Sequence, residues 1–211
     1  MNQSIVHVLF TETDLERIER AVASAEVATS GEIATMVVPA SDSYREAEAL
    51  GAVLLSGLIS LVVAVVTGHV TIWSYIPLIF LLFLPCRFML QRYPALKLPF
   101  VGKGRIAEAV KERAIRAFYE KKLYKTVNES GILIFLSLLE HKVWILGDRG
   151  INEKIPHDEW EELAHEMSAG MKEGKACDAL CAVIGKCGVI LAHHFPKMQD
   201  DVNELSDRLI M

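Results

Sequence analysis

Two apolar runs placed back to back near the middle of the chain constrain everything else. Leu50–Gly68 reads LGAVLLSGLISLVVAVVTG and holds no charge. Its 19 residues make a helix of about 29 Å, close to the roughly 30 Å hydrocarbon core of a bilayer. Ile72–Leu84 reads IWSYIPLIFLLFL, and Phe88–Leu90 prolongs it past Pro85, Cys86 and Arg87. That arginine falls at the interface, where a long charged side chain snorkels to water. His69–Thr71 leave room only for a short turn. The pattern predicts a transmembrane helical hairpin over 49–91 that enters and leaves on one side. The competing reading is a hairpin buried in a soluble core. It would need the remaining residues, about 160, to wrap two apolar helices on every face, and they are too few.

Charge sets the orientation. Arg17, Arg20 and Arg45 precede the hairpin, Arg87, Arg92, Lys97, Lys103 and Arg105 follow it, and the turn has no Lys or Arg. The positive-inside rule then puts both termini in the cytoplasm of a bacterial inner membrane, with the turn outside. Met1–Phe10 is too short and lacks the basic start of a signal peptide. The net charge of −5 resides in the soluble part, which argues against nucleic acid as a partner. The basic residues after the hairpin suit anionic lipid headgroups. A cytoplasmic setting keeps the four cysteines, Cys86, Cys177, Cys181 and Cys187, as free thiols.

The rest of the chain alternates helix and strand. Thr13 with Glu16 reads as a capping box, opening a helix with Leu15, Ile18, Val22 and Ala25 on one face. Glu32–Val38 is a buried strand ending at Pro39. Ser41–Glu48 is polar, reads as helix, and runs toward the first span. Tyr93–Gly104 is a loop. Arg105–Tyr124 is a helix with Ile106, Val110, Ala114, Ala117 and Phe118 on one side. Gly131–Leu139 is an apolar strand, Glu140-His141 a turn, and Lys142–Leu146 an antiparallel partner. Helices follow over 158–171 (Trp160, Leu163, Ala164, Met167 and Met171 inward) and 177–195. Residues 197–211 form a polar C-terminal tail. The expected fold is a small α/β domain made of 1–48 and 92–196, with the transmembrane hairpin inserted after its first strand.

Candidate chemistry is sparse. Asp148, Glu153, Asp158 and Glu159 surround one strand-to-helix connection. They suit a hard cation such as Ca or Mg, which takes about six oxygens, or equally the capping of a corner and a helix N-terminus. Gly150 fits a positive φ at that corner. His157, Glu161 and His165 share a helix face, but no HExxH spacing is present. Cys177, Cys181 and Cys187 read as small buried hydrophobes, with a metal or redox role as the alternative. Between Leu50 and Leu84 there is no Asp, Glu, Lys or Arg, so the hairpin reads as an anchor. Pro77 falls where a kink is expected. Gly51, Ser56, Gly57 and Ser60 allow close helix packing within the hairpin or in a homo-oligomer, and Trp73 and Tyr75 fit an outer interfacial belt.

Four stretches, in order, resemble one family: Thr29-Ser30-Gly31-Glu32-Ile33, Glu129-Ser130-Gly131-Ile132-Leu133-Ile134, Lys142-Val143-Trp144-Ile145 and Asp148-Arg149-Gly150-Ile151. Together they are similar to the TPM domain, in its bacterial membrane-embedded branch, over roughly 12–39 and 105–195. The resemblance implies an α/β/α sandwich of unsettled function, with phosphatase activity and calcium binding proposed for some plant members. This chain departs from the pattern at two acidic positions, where Asn152 and Lys175 stand; Asp178 is the acidic residue near the second. The candidate metal set is therefore Asp148, Glu153, Asp158 and Asp178. Three readings of function follow. The first is a membrane-anchored, non-enzymatic module that binds a membrane or cytoplasmic protein. The second is a divalent-metal phosphatase using Asp148, Asp158 and Asp178. The third is a structural, oligomerising membrane protein.

Overall fold

The strands predicted to be buried on both faces are covered on both faces. The structure is a computed structural model that describes residues 10–68, 71–126, 128–197 and 203–211. It divides into two compact units, 1–41 with 107–211, and 42–106.

The first unit is built on a three-stranded sheet, β1 (Glu32–Val38), β2 (Gly131–Ser137) and β3 (Lys142–Gly147), in that spatial order. β1 and β2 run parallel, with Ile33 opposite Ile132 and Met36 opposite Phe135. β3 returns antiparallel, with Leu133 opposite Leu146. Strand side chains alternate between faces, so each strand feeds two cores. Ile33, Val37, Ile132, Ile134, Leu136 and Ile145 pack in a core with α1 (Glu12–Glu26), α6 (His157–Lys172) and α7 (Ala176–His194). Ala34, Met36, Val38, Leu133 and Phe135 pack in a second core with Val110, Ala114, Ala117 and Phe118 of α4 (Lys103–Glu120). The unit is thus mixed α/β with helices on both sheet faces. α7 is long and apolar enough to cross a membrane, yet its Leu180, Val183, Ile184, Cys187 and Leu191 are spent on the first core.

Several local expectations change. The capping box at α1 is Thr11 with Asp14: Asp14 N–H donates to Thr11 Oγ1 at 3.2 Å and Thr11 N–H to Asp14 Oδ2 at 3.0 Å. Thr13 and Glu16 sit two residues too far along. The β2–β3 connection is Leu138–His141, wider than the two-residue turn. Leu138 and Leu139 leave the ladder because their N–H groups donate to Val38 and Pro39 carbonyls, both at 3.0 Å. The 93–104 loop contains a 3-10 helix, Pro94–Phe100.

The described end of the polar C-terminal tail, 203–211, is a strap on the sheet. Ile210 N–H donates to Thr35 O and Val37 N–H to Ile210 O, both at 2.9 Å, along the outer edge of β1. The Glu32 carboxylate accepts from Glu204 N–H at 3.2 Å and Leu205 N–H at 3.0 Å. Its apolar contacts come from Leu209 on the first core and from Leu205 and Ile210 on the second.

Beside this strap, Glu26 ends α1, and its Oε1 accepts from Ile33 N–H at 2.7 Å. Burial pushes its carboxyl up to about 8; the Ile33 N–H opposes this, and Glu32 and Asp207 add to it. The unfolded carboxyl titrates near 4.5. Between these values the unfolded chain releases a proton that the folded chain keeps, so folding stability is full below 4.5 and falls as pH rises to about 8. With solvent screening allowed for, the loss is on the order of 1–2 kcal/mol. Glu26→Gln keeps an acceptor for Ile33 and removes the titration. Its urea midpoint is expected to vary less between pH 5 and pH 8 than that of the parent; equal pH slopes would count against this role.

The second unit is a helical hairpin with its base. α2 (Arg45–Thr67) has 23 residues and α3 (Ile72–Arg92) has 21, about 34 Å and 31 Å long. The polar Arg45–Glu48 continues into the apolar run as one helix, whereas 41–44 is not helical. α2 turns small residues inward: Gly51, Ala52, Ser56, Ser60 and Ala64 are buried. Ala52 packs with Cys86 and Leu90 of α3, and Tyr75 OH donates to Gly57 O at 3.3 Å. Small residues are therefore used within the hairpin. A side chain at Gly51 would meet the Phe100 ring 2.9 Å away. Pro77 and Pro85 both lie inside α3. The large apolar side chains point outward; Val66 is 80% exposed, Phe80 74% and Leu81 71%.

The base of this unit carries its ion pairs. Glu48, almost fully buried, accepts from Arg87 Nε at 2.9 Å and Gln91 Nε2 at 2.7 Å, with Lys97 Nζ at 3.6 Å. Arg105 pairs with Asp42, and with Glu46 at 3.6 Å. Arg87, Lys97 and Arg105 are thus engaged within the protein, and the Arg92 guanidinium lies 5.5 Å from the Tyr93 ring centroid. The unit boundaries differ from the expected 48/49 and 91/92 because these pairs tie 42–48 and 92–106 to the hairpin.

Candidate functional site

The three tripeptides 29–31, 129–131 and 148–150 meet at one end of the sheet. Parallel β1 and β2 start side by side there, and antiparallel β3 finishes there. Their hydroxyls knit the strand starts together. Thr29 Oγ1 donates to Phe195 O at 2.6 Å and accepts from Gly31 N–H at 2.9 Å. Ser130 Oγ donates to Ser30 O at 3.1 Å, and Ser130 N–H donates to Thr126 Oγ1 at 2.9 Å. The glycines answer to space. A Cβ on Gly150 would lie 2.7 Å from Asn128 O and 2.9 Å from Glu129 O. Among the described glycines, positive φ belongs to Gly68 and Gly174, so the expectation for Gly150 is corrected from backbone angle to close approach. Gly131 likewise faces Leu123 O at 2.7 Å.

Around this junction lies a cleft of ≈ 590 Å³, lined by Ser30, Glu129, Glu153, Lys154, His194 and Lys197 among others. Lys154 Nζ sits 4.1 Å from the Phe195 ring centroid and donates to His194 O at 3.3 Å. Asp148 caps α5 (Arg149–Asn152) through its Oδ1, which accepts from Arg149 N–H at 2.8 Å. Its Oδ2 is buried without a hydrogen-bond partner among the described residues. Burial pushes the Asp148 carboxyl above the usual range; the Arg149 N–H opposes the shift and the Glu129 charge adds to it.

The four proposed metal ligands are not brought together. Asp148 caps α5. Glu153 pairs with Arg149 Nε at 3.0 Å. Asp158 sits in the first turn of α6. Asp178, in the first turn of α7, pairs with Arg17 of α1 at 2.5 Å. Among the described residues no three His, Cys, Asp or Glu side chains gather in metal-binding geometry. This set therefore does not fit a Ca or Mg cage, and no chemistry is routed through one. Capping and ion pairing account for the carboxylates, as helix starts favour negative charge.

The remaining candidates resolve similarly. Burial pushes the Cys177 and Cys187 thiols up to about 12, so both stay protonated and inert near neutral pH. Cys177 and Cys181 pack against the core that contains Cys187. His165 is exposed on α6, and the side chain of His157 lies outside the described part. His193 and His194 stack edge to face at 4.8 Å. Sequence reasoning missed Lys154, His194 and Lys197 at the cleft. Lys154 lies 40 residues before His194, with no shared spacing to reveal them.

The fold and the sheet-end junction define a mixed α/β protein whose recurrent tripeptides build one corner. Residues 104–188 match the family model of the TPM domain. That match runs from α4 into α7. It is similar to the BA42 protein of the psychrophilic bacterium Bizionia argentinensis, known from an NMR structure: TM-score 0.59, 21% identity, over 95% of this chain and 94% of that one. At that identity the likeness concerns the fold. No curated protein sequence matches the chain.

Proposed function

We propose that this chain is an integral inner-membrane protein in which the α2–α3 hairpin anchors a cytoplasmic TPM domain, and that the domain works by binding another protein rather than by catalysis. The observation that carries the reading is the hairpin surface. Two adjacent helices of membrane-spanning length expose large apolar side chains along their outer faces and bury small ones between them. Water does not tolerate an apolar surface of that extent, and a bilayer does. Trp73, 87% exposed near the turn, suits the interfacial belt. Dispersal of Asp148, Asp158 and Asp178 over three elements favours binding over metal-assisted hydrolysis.

The test joins topology to partnership. A reporter active only outside the membrane is fused at residue 211 or in the turn at 69–70, and native membranes are then cross-linked. The turn fusion alone is expected to be active, and the chain is expected to enter a defined heteromeric adduct. An active fusion at 211 would reject the topology. Monomer alone after cross-linking at native expression would reject the binding role, and a homo-oligomer alone would support the structural reading instead.

A further inference from the structure

The helix predicted over Arg105–Tyr124 stops at Glu120, and the reason lies in its last turn. Leu123 N–H donates to Phe118 O at 3.0 Å and Lys122 N–H to Tyr119 O at 3.1 Å, the two bonds of a Schellman end. Leu123 and Phe118 both lie in the second core, which supplies the apolar contact that accompanies such an end. Lys122 takes the left-handed position, with φ 58°, where glycine has the lowest steric cost. With Leu123 turned inward, the residues around it turn out: Lys121, Lys122, Tyr124 and Lys125 are exposed.

Those side chains share the C-terminal end of α4 with an aromatic pair. The Tyr119 and Tyr124 ring centroids lie 5.6 Å apart, and the two residues are 62% and 41% exposed. Arg116 is exposed one turn before Tyr119, on the same helix face. Arg116, Lys121, Lys122 and Lys125 have no ion pair among the described residues. The carboxylate within 116–125 is that of Glu120, and Arg113 holds it at 3.2 Å. A helix C-terminus attracts cations, which accounts for Lys121 and Lys122. It calls for neither an arginine a turn upstream nor two exposed tyrosines in contact, and glycine would fill the left-handed position with less strain. Tyrosine and arginine are the residues that protein interfaces concentrate.

We infer that the C-terminal end of α4, with Arg116, Tyr119, Lys121, Lys122, Tyr124 and Lys125, is the partner-docking surface of this domain, and that it takes a short acidic segment of another protein that carries an aromatic side chain. The inference deepens the binding role proposed above and rests on it. The cations attract the partner's carboxylates and select against basic segments, and the tyrosine rings pack against its aromatic ring. The net charge of −5 limits the size of this partner. A nucleic acid carries its charge past the patch into the field of an acidic protein, whereas a short acidic segment ends with the patch.

The test uses the full chain in mild detergent and two labelled peptides, each with a phenylalanine between two short charged runs, of aspartate in one and of lysine in the other. The aspartate peptide is expected to bind saturably. The surface variant Lys121→Glu/Lys125→Glu should weaken it by about tenfold or more and make the lysine peptide the better ligand. Tyr119→Ala/Tyr124→Ala should weaken it by about tenfold with every charge in place. If that pair fails to fold, an aspartate peptide with alanine for its phenylalanine reads the same contact from the other side. Lys122→Gly suits the left-handed position, so it should weaken the peptide in a chain that keeps its fold. No saturable binding of the aspartate peptide to the parent chain, or binding that ignores the charge reversal or the loss of the aromatic contact, overturns the inference. So does tighter binding of a single-stranded oligonucleotide, or of anionic lipid in mixed micelles, that the same reversal removes, since the occupant would then not be a protein. A heteromeric cross-linked adduct that survives the reversal keeps the binding role and rejects this surface; absence of any adduct in the parent chain rejects the role itself.

Discussion

Replacing residues 42–104 by a short polar linker should yield a protein that stays soluble without detergent and unfolds in one cooperative step. The sheet, both of its cores and the C-terminal strap lie in 1–41 and 107–211. Ile33 and Val37, encoded before the hairpin, share a core with Ile134 and Ile145, encoded after it. Residues 1–41 alone should be unfolded, because one helix and one strand cannot bury their apolar faces. Gel filtration without detergent and a urea titration followed by two probes are the measurements. A linker variant that aggregates, or whose two halves unfold at different urea concentrations, would show that the hairpin is part of the folding unit rather than an insertion.

Glu48→Ala should be the most damaging single change in the second unit. Lys97 is nearly as buried as Glu48 and also donates to Ser43 O at 2.7 Å. Without Glu48 its ammonium keeps one carbonyl and loses its counter-charge, while half-exposed Arg87 can turn to water. Breaking a buried pair by removing one partner costs about 3–5 kcal/mol. The Ser43 carbonyl brings the expectation here to the lower end, about 3 kcal/mol. Removing both charges with Glu48→Leu/Lys97→Met should recover most of the loss. Denaturant unfolding of the full chain in detergent reads both variants. A single variant within about 0.5 kcal/mol of the parent would mean that the pair contributes nothing net.

Much of this architecture is legible in the residues. Uncharged runs of membrane-spanning length read as spans because a helix rises by a fixed amount per residue. Continuous apolar strands read as doubly covered, as β1 and β2 are, and the pairing of β2 with β3 is legible because the two are sequence neighbours. The small residues of α2 marked the tight face of the hairpin. The candidate site was less legible. Asp148, Glu153, Asp158 and Asp178 are close in sequence or in family pattern, yet each is claimed by a helix start or an arginine on a different element. The strap was hidden because Leu205, Leu209 and Ile210 do not alternate as a strand does.

Local patterning thus determined what could be settled within one turn or one strand: helix, strand, and the face each buries. Tertiary structure alone decided which strand starts lie together, that Gly150 serves a crowded corner instead of a left-handed turn, that Glu48 holds Lys97 from across the hairpin, and which sheet edge the C-terminal strap closes. Those are relations between segments far apart in the chain. Periodicity fixes which face of an element is apolar, but which neighbour covers that face, and which backbone groups are left unpaired, is fixed only when distant segments compete for the same space.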